Sequence, residues 1–432
     1  MRSLLIILFF TITTNVSFAQ NTTIDQVDKQ TYDSFFSKDY KKTIQLGNEA
    51  INNNIDYYFL RYRLGVSYYE IKNYVEAIPH LEKAKEMQNT DPVLLEYLYY
   101  SYLFSYNNTK AELLAETFSS ELKEKVNYKP TLFKSISLEA GLLSNPKFDS
   151  NKNIRGTNQM ARGTFYSDVI FGNLLITNSF SPKFKLQNSF NYVSNTSNEI
   201  IQGFKNDIFT NNNNYFQWNI IGSYSFNQWK INAGFGLYNA SSFSYQLPTS
   251  FISNAPISST KTTTTYFSSS ASISKRFKYI EPAISFSYSN LSNFNTITAE
   301  AFATYYPFGN INFYGNTKIG LVSFNSNNNT IFTQLIGIKV FKKIWLEGFY
   351  STGNNQNYVS DNGLSTFNTP DNINWYIGIN LNFFFKKFDL SFTYAFQERA
   401  SGYFVTQSPT VTNTLNYTYN YNLFKTKIVW NF

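Results

Sequence analysis

One histidine and no cysteine leave this 432-residue chain little with which to do covalent, acid–base or metal chemistry. Histidine titrates nearest neutral pH and is the commonest general base and metal ligand. The single copy, His80, lies in the N-terminal third, so the rest of the chain has no Ser-His, Asp-His or His-based metal constellation. Without cysteine there is no disulfide framework, no thiolate metal site and no lipid anchor on an N-terminal Cys. Gly234-x-Gly236 lies in a strand-like stretch with no following helix, which rules out a phosphate loop. Carboxylates such as Glu281 and Glu300 remain. They are either an acid pair or partners of Lys185, Lys230 or Lys318, and ion pairing is the favoured reading. The chain reads as a non-enzyme with no cofactor and no metal site. The formal net charge is +8, but its cations are scattered and make no basic footprint for nucleic acid.

The elements that carry these charges have period two. Hydrophobic residues are 43% and aromatics 19%, yet the mean hydropathy is −0.30, so apolar residues are dispersed rather than gathered in runs. From about residue 132 they alternate with polar ones: Phe184, Leu186, Phe190, Tyr192; Phe216, Trp218, Ile220; Ile373, Trp375, Ile377, Ile379, Leu381; Phe388, Leu390, Phe392, Tyr394. Such repetition calls for strands with one apolar and one polar face. Glu139, Lys185, Lys230, Glu281, Glu300, Lys318, Lys339, Glu347 and Asp389 all fall on the polar parity. A charge is expensive against lipid and cheap against a wet lumen, so these nine are expected to face the inside of a transmembrane barrel.

A soluble sandwich would alternate in the same way, and the connections separate the two. Tight turns are expected near Ser181-Pro182, Asn227-Gln228, Lys275–Lys278, Pro307–Asn310, Phe341–Lys343 and Lys386-Lys387. Longer Asn/Ser/Thr-rich loops are expected at 194–213, 240–262, 352–371 and 398–411. Short turns at one end and long loops at the other are the asymmetry of a membrane barrel, here of about 14 strands over residues 132–432. Trp229, Trp345 and Trp430 fall near the turns and Trp218 and Trp375 toward the loops, as two aromatic girdles would. The phase slips twice. One slip lies around Asp168 to Leu175. The other separates Leu415, Tyr417, Tyr419 and Tyr421 from Phe424, Ile428, Trp430 and Phe432, and a bulge is expected there. The ending Phe424-x-Thr426-x-Ile428-x-Trp430-x-Phe432 resembles the C-terminal signal of outer-membrane barrels, which implies recognition by the barrel-assembly machinery.

The N-terminal third is different. Arg2, the apolar stretch Leu4 to Phe10 and Ser17-Phe18-Ala19 read as a secretory signal over residues 1–19, cleaved before Gln20; the stretch is too short to span a bilayer. Residues 20–127 then show a 34-residue period: Tyr40 answers Tyr74, Ile44 answers Ile78, and Ala50 answers Ala84. In the middle copy Leu64, Gly65, Tyr68, Tyr74, Ala77, Leu81 and Ala84 resemble the tetratricopeptide consensus, with a degenerate third copy from about Pro92. The apolar run Tyr97 to Phe104 is read as packing within the repeats or against the next domain, or else as a peptide-binding surface.

The expected fold class is therefore α plus membrane β, a short helical repeat followed by an antiparallel transmembrane barrel. The arrangement resembles outer-membrane proteins that join periplasmic tetratricopeptide repeats to a C-terminal barrel, including the YaiO-like family and exopolysaccharide exporters. That resemblance implies an outer-membrane location with a periplasmic N-terminal domain, contact with outer-membrane lipid, and a periplasmic protein partner docked on the repeats. It leaves two functions open. One is a channel or secretion conduit. The other is a non-transporting structural or assembly protein with a plugged lumen, a reading kept close by Tyr215, Tyr266 and Phe349 on the lumen parity.

Overall fold

The computed structural model describes residues 23–88, 90–151, 160–202, 207–246, 258–324, 327–369, 371–408 and 411–432. The signal-like segment 1–19 and its cleavage site lie outside them.

Three helical hairpins open the described chain: α1 (Ile24–Phe36) with α2 (Tyr40–Asn52), α3 (Tyr58–Glu70) with α4 (Tyr74–Met87), and α5 (Pro92–Phe104) with α6 (Asn108–Glu116). A short α7 (Ser120–Lys125) follows. The period is written into the turns. Lys38, Lys72 and Tyr106 are each left-handed, with φ of 61°, 63° and 63°. Each precedes a capping residue, Asp39, Asn73 or Asn107, whose side chain accepts the amide hydrogen of Lys42, Glu76 or Lys110. Ala77, Leu81 and Ala84 are fully buried in one core, and Leu64 in a second with Val27, Ala50 and Leu60. Tyr68 stacks on His80 at 5.4 Å and accepts a hydrogen bond from Asn48 at 3.0 Å; Tyr74 packs against Tyr69 and Phe104. Of the run Tyr97–Phe104, Leu98, Tyr99, Ser101 and Tyr102 are buried in the repeat core, and Phe104 accepts a backbone hydrogen bond from Ile311 of the next domain. His80 is pushed down to about 4 by burial and by the Arg61 guanidinium 3.1 Å away, so it is neutral near pH 7.

Fourteen antiparallel strands then close into a barrel. They are β1 (Phe133–Ser144), β2 (Met160–Ser179), β3 (Phe184–Gln202), β4 (Asp207–Phe226), β5 (Trp229–Gln246), β6 (Ser258–Lys275), β7 (Ile280–Ser289), β8 (Thr296–Tyr305), β9 (Phe313–Phe324), β10 (Asn327–Phe341), β11 (Ile344–Thr352), β14 (Asn372–Phe384), β15 (Phe388–Ser408) and β16 (Val411–Asn431). The remaining two strands, β12 (Tyr358–Ser360) and β13 (Ser365–Phe367), form a separate hairpin. Pairing of β1 with β16, Ile136 opposite Trp430 and Leu138 opposite Ile428, closes the cylinder. Closure satisfies the backbone that a single sheet would leave bare at its edges.

The apolar parity faces outward. Ile284, Phe286, Ile297, Ile319, Ile377 and Ile379 are exposed on the outer wall, as are Phe424, Trp430 and Phe432. Serines, threonines and asparagines fill the inner wall, with Ser189, Asn219, Ser285 and Thr298 buried there.

Three expectations need correction. The stretches 194–213 and 398–411 are largely strand rather than loop: β3, β4, β15 and β16 run 19 to 21 residues, about twice a membrane crossing. Polar side chains continue the ladder there, Asn213 donating to Ser197 at 2.9 Å and Thr210 to Asn198 at 3.1 Å. No bulge separates Tyr421 from Phe424, since β15 and β16 keep one register through Phe396–Asn422, Ala395–Leu423 and Tyr394–Phe424. Tyr419 and Tyr421 are instead buried, their phenols hydrogen-bonded to Asp371 and to the Ser167 carbonyl. Finally, Trp345 is no girdle residue. It lies on the parity of Glu347 and donates its indole N–H to the Ile311 carbonyl at 3.1 Å. The slip near Asp168 is a register shift between Tyr166 and Val169.

Candidate functional site

Between β11 and β14 the chain turns inward and crosses the barrel. It leaves the wall at Gly353, whose φ of +115° and approach to the Thr330 carbonyl exclude any side chain. The β12–β13 hairpin follows, with its tip at Asp361, Asn362 and Gly363, all left-handed. The tip rests on the opposite wall. Gln217 of β4 donates to the Gly363 carbonyl at 3.4 Å, Tyr238 of β5 and Thr366 share a hydrogen bond of 3.1 Å, and Ser287 of β7 donates to the Val359 carbonyl at 3.1 Å.

The wall is shaped to receive it. Gly234 and Gly236 of β5 stand beside Ser270 and Ser268 of β6. A Cβ built on Gly234 would lie 2.3 Å from the Asn362 carbonyl oxygen. Of these two glycines, excluded above as a phosphate loop, Gly234 makes room for the hairpin backbone and Gly236 for the Asn219, Ser268 and Tyr238 side chains. Their parity was the signal that sequence reasoning missed.

Charge holds the hairpin. The Lys318 ammonium lies 2.7 Å from Asp361, 2.7 Å from the Ser360 hydroxyl and 3.5 Å from Glu300. Glu300 in turn accepts hydrogen bonds from Ser360 at 2.6 Å and from the Tyr358 phenol. Val359 packs with Tyr238, Tyr266 and Leu291, while Tyr358 packs with Val322, Phe324 and Ile331. A buried ion pair that loses one partner leaves the other charge uncompensated, so the cluster fixes one position of the hairpin.

The other inner-parity charges go elsewhere. Glu139 pairs with Lys425 at 3.2 Å. Lys185 reaches Glu112 of α6, also at 3.2 Å. Glu281 accepts from Ser274 at 2.9 Å and meets Arg276 at 3.3 Å. Glu347 accepts from Asn380, Asn382 and Tyr314, and Asp389 from Asn431. Lys339 lies over the Trp345 ring at 4.5 Å, and Lys230 is exposed. Of the nine, Glu300 and Lys318 form an ion pair with each other.

Both ends of the lumen are furnished. At the loop end a cavity of about 850 Å³ is lined by Arg162, Tyr166, Glu199, Asp371, Ser401 and Asn416. Beside it Phe165, Tyr417, Tyr419 and Tyr421 form a chain of rings with centroids 5.5 to 5.8 Å apart. At the turn end the helical hairpins sit on the rim. Lys278 pairs with Glu76 at 2.6 Å, Tyr279 donates to the same carboxylate at 2.5 Å, and Arg276 donates to the Ser105 carbonyl at 2.5 Å. Burial raises the Glu76 carboxyl, but Lys278 and Tyr279 outweigh it and hold it below its ordinary range. Tyr106 projects beside Tyr306, 6.1 Å between rings.

Gly234→Leu is expected to expel the tip, because the clash is with backbone and no rotamer relieves it. In that background a cysteine at Asn362 should react with a water-soluble maleimide at least tenfold faster than in the parent. Equal rates would show that the hairpin does not depend on this seat.

The fold and site define a class: a closed 14-stranded antiparallel barrel with an apolar outer wall, of the kind found in outer-membrane proteins, preceded by a helical segment. The chain is similar in fold to the Pseudomonas putida toluene transporter TodX, at TM-score 0.46 and 8% identity over 71% of this chain and 91% of that one. It is also similar to a Pseudomonas aeruginosa FadL homologue, at TM-score 0.44 and 9% identity over 69% and 90%, and to a bacterial polysaccharide outer membrane secretin, at TM-score 0.35 and 8% identity over 70% and 100%. No protein-family model and no curated protein matches the chain.

Proposed function

We propose that this protein is an outer-membrane channel or export conduit held shut by its own lumen hairpin, not an enzyme. The observation that carries the reading is the hairpin's attachment. It is held by the ion cluster of Lys318 and Glu300 on β9 and β8 with Asp361, by hydrogen bonds to β4, β5 and β7 and by side-chain packing, rather than by continuation of the barrel ladder, so it can leave without unfolding the wall. The loop-end cavity is then a vestibule for a polar or ring-bearing solute.

In this reading the turn end faces the periplasm, and the helical hairpins are tetratricopeptide-like repeats of the YaiO-like kind delivered by a cleaved signal. Their 34-residue turn period supports that identity. Tyr32, Phe36 and Phe59, exposed on α1 and α3 around Arg63, supply the surface for a periplasmic protein partner. The terminal Phe424, Ile428, Trp430 and Phe432 serve the barrel-assembly machinery. A second reading, a non-transporting structural or assembly protein, draws its support from the same hairpin in the lumen and from the helices seated on the turn-end rim.

Planar-bilayer conductance separates the two. The full chain should conduct little, and replacing residues 356–368 with four Gly/Ser residues should raise unitary conductance by about tenfold or more, as water and ions enter a barrel of this strand number. Unchanged conductance in a folded, hairpin-free barrel would favour the non-transporting reading.

A further inference from the structure

Among the described residues several turn-end cations are ion-paired, Lys278 with Glu76, Lys134 and Lys185 with Glu112, Arg276 with Glu281, and Lys425 with Glu139, while others such as Lys183, Lys386 and Lys387 are not. Lys72, Lys339 and Lys342 differ in being grouped. Among the described residues none of the three is in an ion pair, yet all three line one cavity of about 480 Å³ between the α3–α4 turn and the barrel rim. No acidic side chain among the described residues lines that cavity. Like charges gathered without a counter-charge repel one another, and an anion between them relieves the repulsion.

The rest of the lining says which anion. Val340 and Phe341 belong to the same cavity and are 47% and 66% exposed, Val340 on the outward parity of β10 with Ile336 and Ile338. The pocket therefore adjoins the apolar outer wall at its turn-end border. Trp345 stands across from them, fixed by its hydrogen bond to Ile311 and carrying Lys339 over its ring. Ammonium groups beside an apolar wall are the chemistry of a lipid headgroup boundary. A small soluble anion would use the lysines and leave the apolar side bare.

We propose that this junction is a binding site for the phosphate headgroup of an anionic phospholipid, whose acyl chains run along Val340 and the outer wall of β10. The site joins the helical domain to the membrane at the point where Lys72, on its turn, meets the barrel rim. The proposal rests on the reading that the turn end lies at a phospholipid leaflet.

Native mass spectrometry of the full chain, released from detergent after titration with phosphatidylglycerol or phosphatidylcholine, tests it. The barrel's heat-resistant migration is scored separately on the same samples. The parent should retain phosphatidylglycerol over phosphatidylcholine by about tenfold or more. The triple variant Lys72→Gln, Lys339→Gln, Lys342→Gln should lose that preference, and Lys386→Gln with Lys387→Gln, at another turn, should keep it. Equal retention of the two lipids, or undiminished preference in the triple variant, overturns the site. Equal loss in the two variants overturns it in favour of diffuse charge, and displacement of phosphatidylglycerol by millimolar inorganic phosphate makes it a soluble-anion site instead. A chain without heat-resistant migration overturns the barrel reading and this proposal with it.

Discussion

Ile379→Arg is expected to abolish accumulation of folded barrel in the membrane, whereas Asn380→Arg, one residue away, should assemble. Ile379 is 52% exposed on the outer wall of β14, so arginine there would face hydrocarbon at a cost of roughly 2–4 kcal/mol near the midplane. Asn380 points the other way. It donates to Glu347 at 3.0 Å and accepts from Thr393 at 2.6 Å, and a guanidinium at that position gains the Glu347 carboxylate as a partner. Strand propensity differs too little between the positions to give opposite outcomes. Heat-modifiable migration of the membrane fraction measures the difference, and similar yields for the two variants would contradict the assignment of faces.

Gly65→Trp should unfold the helical domain while leaving the barrel intact. A Cβ on Gly65 would already lie 2.5 Å from the Leu81 side chain, and Leu81 is fully buried between α3 and α4. It has nowhere to retreat. Overpacking of a tight core by a few methylenes costs about 1–3 kcal/mol, and an indole is far larger. Limited proteolysis of the full chain should then remove the helices rapidly and spare a heat-resistant barrel; parent-like protection of the helices would contradict the packing. Gly65→Ala should give an intermediate effect.

Much of the fold was legible because its signals are periodic. Alternation locates strands, and Ile377, Ile379, Phe286 and Ile297 fall outward as a lipid-facing parity requires. The 34-residue recurrence locates helical hairpins, since Lys38, Lys72 and Tyr106 repeat a backbone conformation as well as a spacing. Polar strand extensions were illegible because Asn, Ser and Thr favour turns in isolation yet pair across a ladder, as Asn213 does with Ser197. The tyrosines of β16 misled for a related reason: aromatic rings suit either face, and Asp371, the Ser167 carbonyl and Arg399, the last 4.4 Å over Tyr421, draw them inward. The hairpin was hidden most deeply. Residues 352–371 have loop composition, and their contacts with Gln217, Tyr238 and Glu300 span long sequence separations that no local pattern records. Gly234 carried the trace of it. In a strand, a glycine on the lumen side marks where another backbone comes close.

The two faces of a membrane barrel alternate residue by residue, and single-cysteine labelling in intact outer membranes reads that directly. The parent has no cysteine, so each signal has one source. Cysteine at Ile379 should be quenched by a lipid-soluble probe and ignored by a small water-soluble thiosulfonate, while cysteine at Asn380 should give the reverse. Equal reaction of both positions with the water-soluble reagent would contradict the transmembrane barrel and everything built on it.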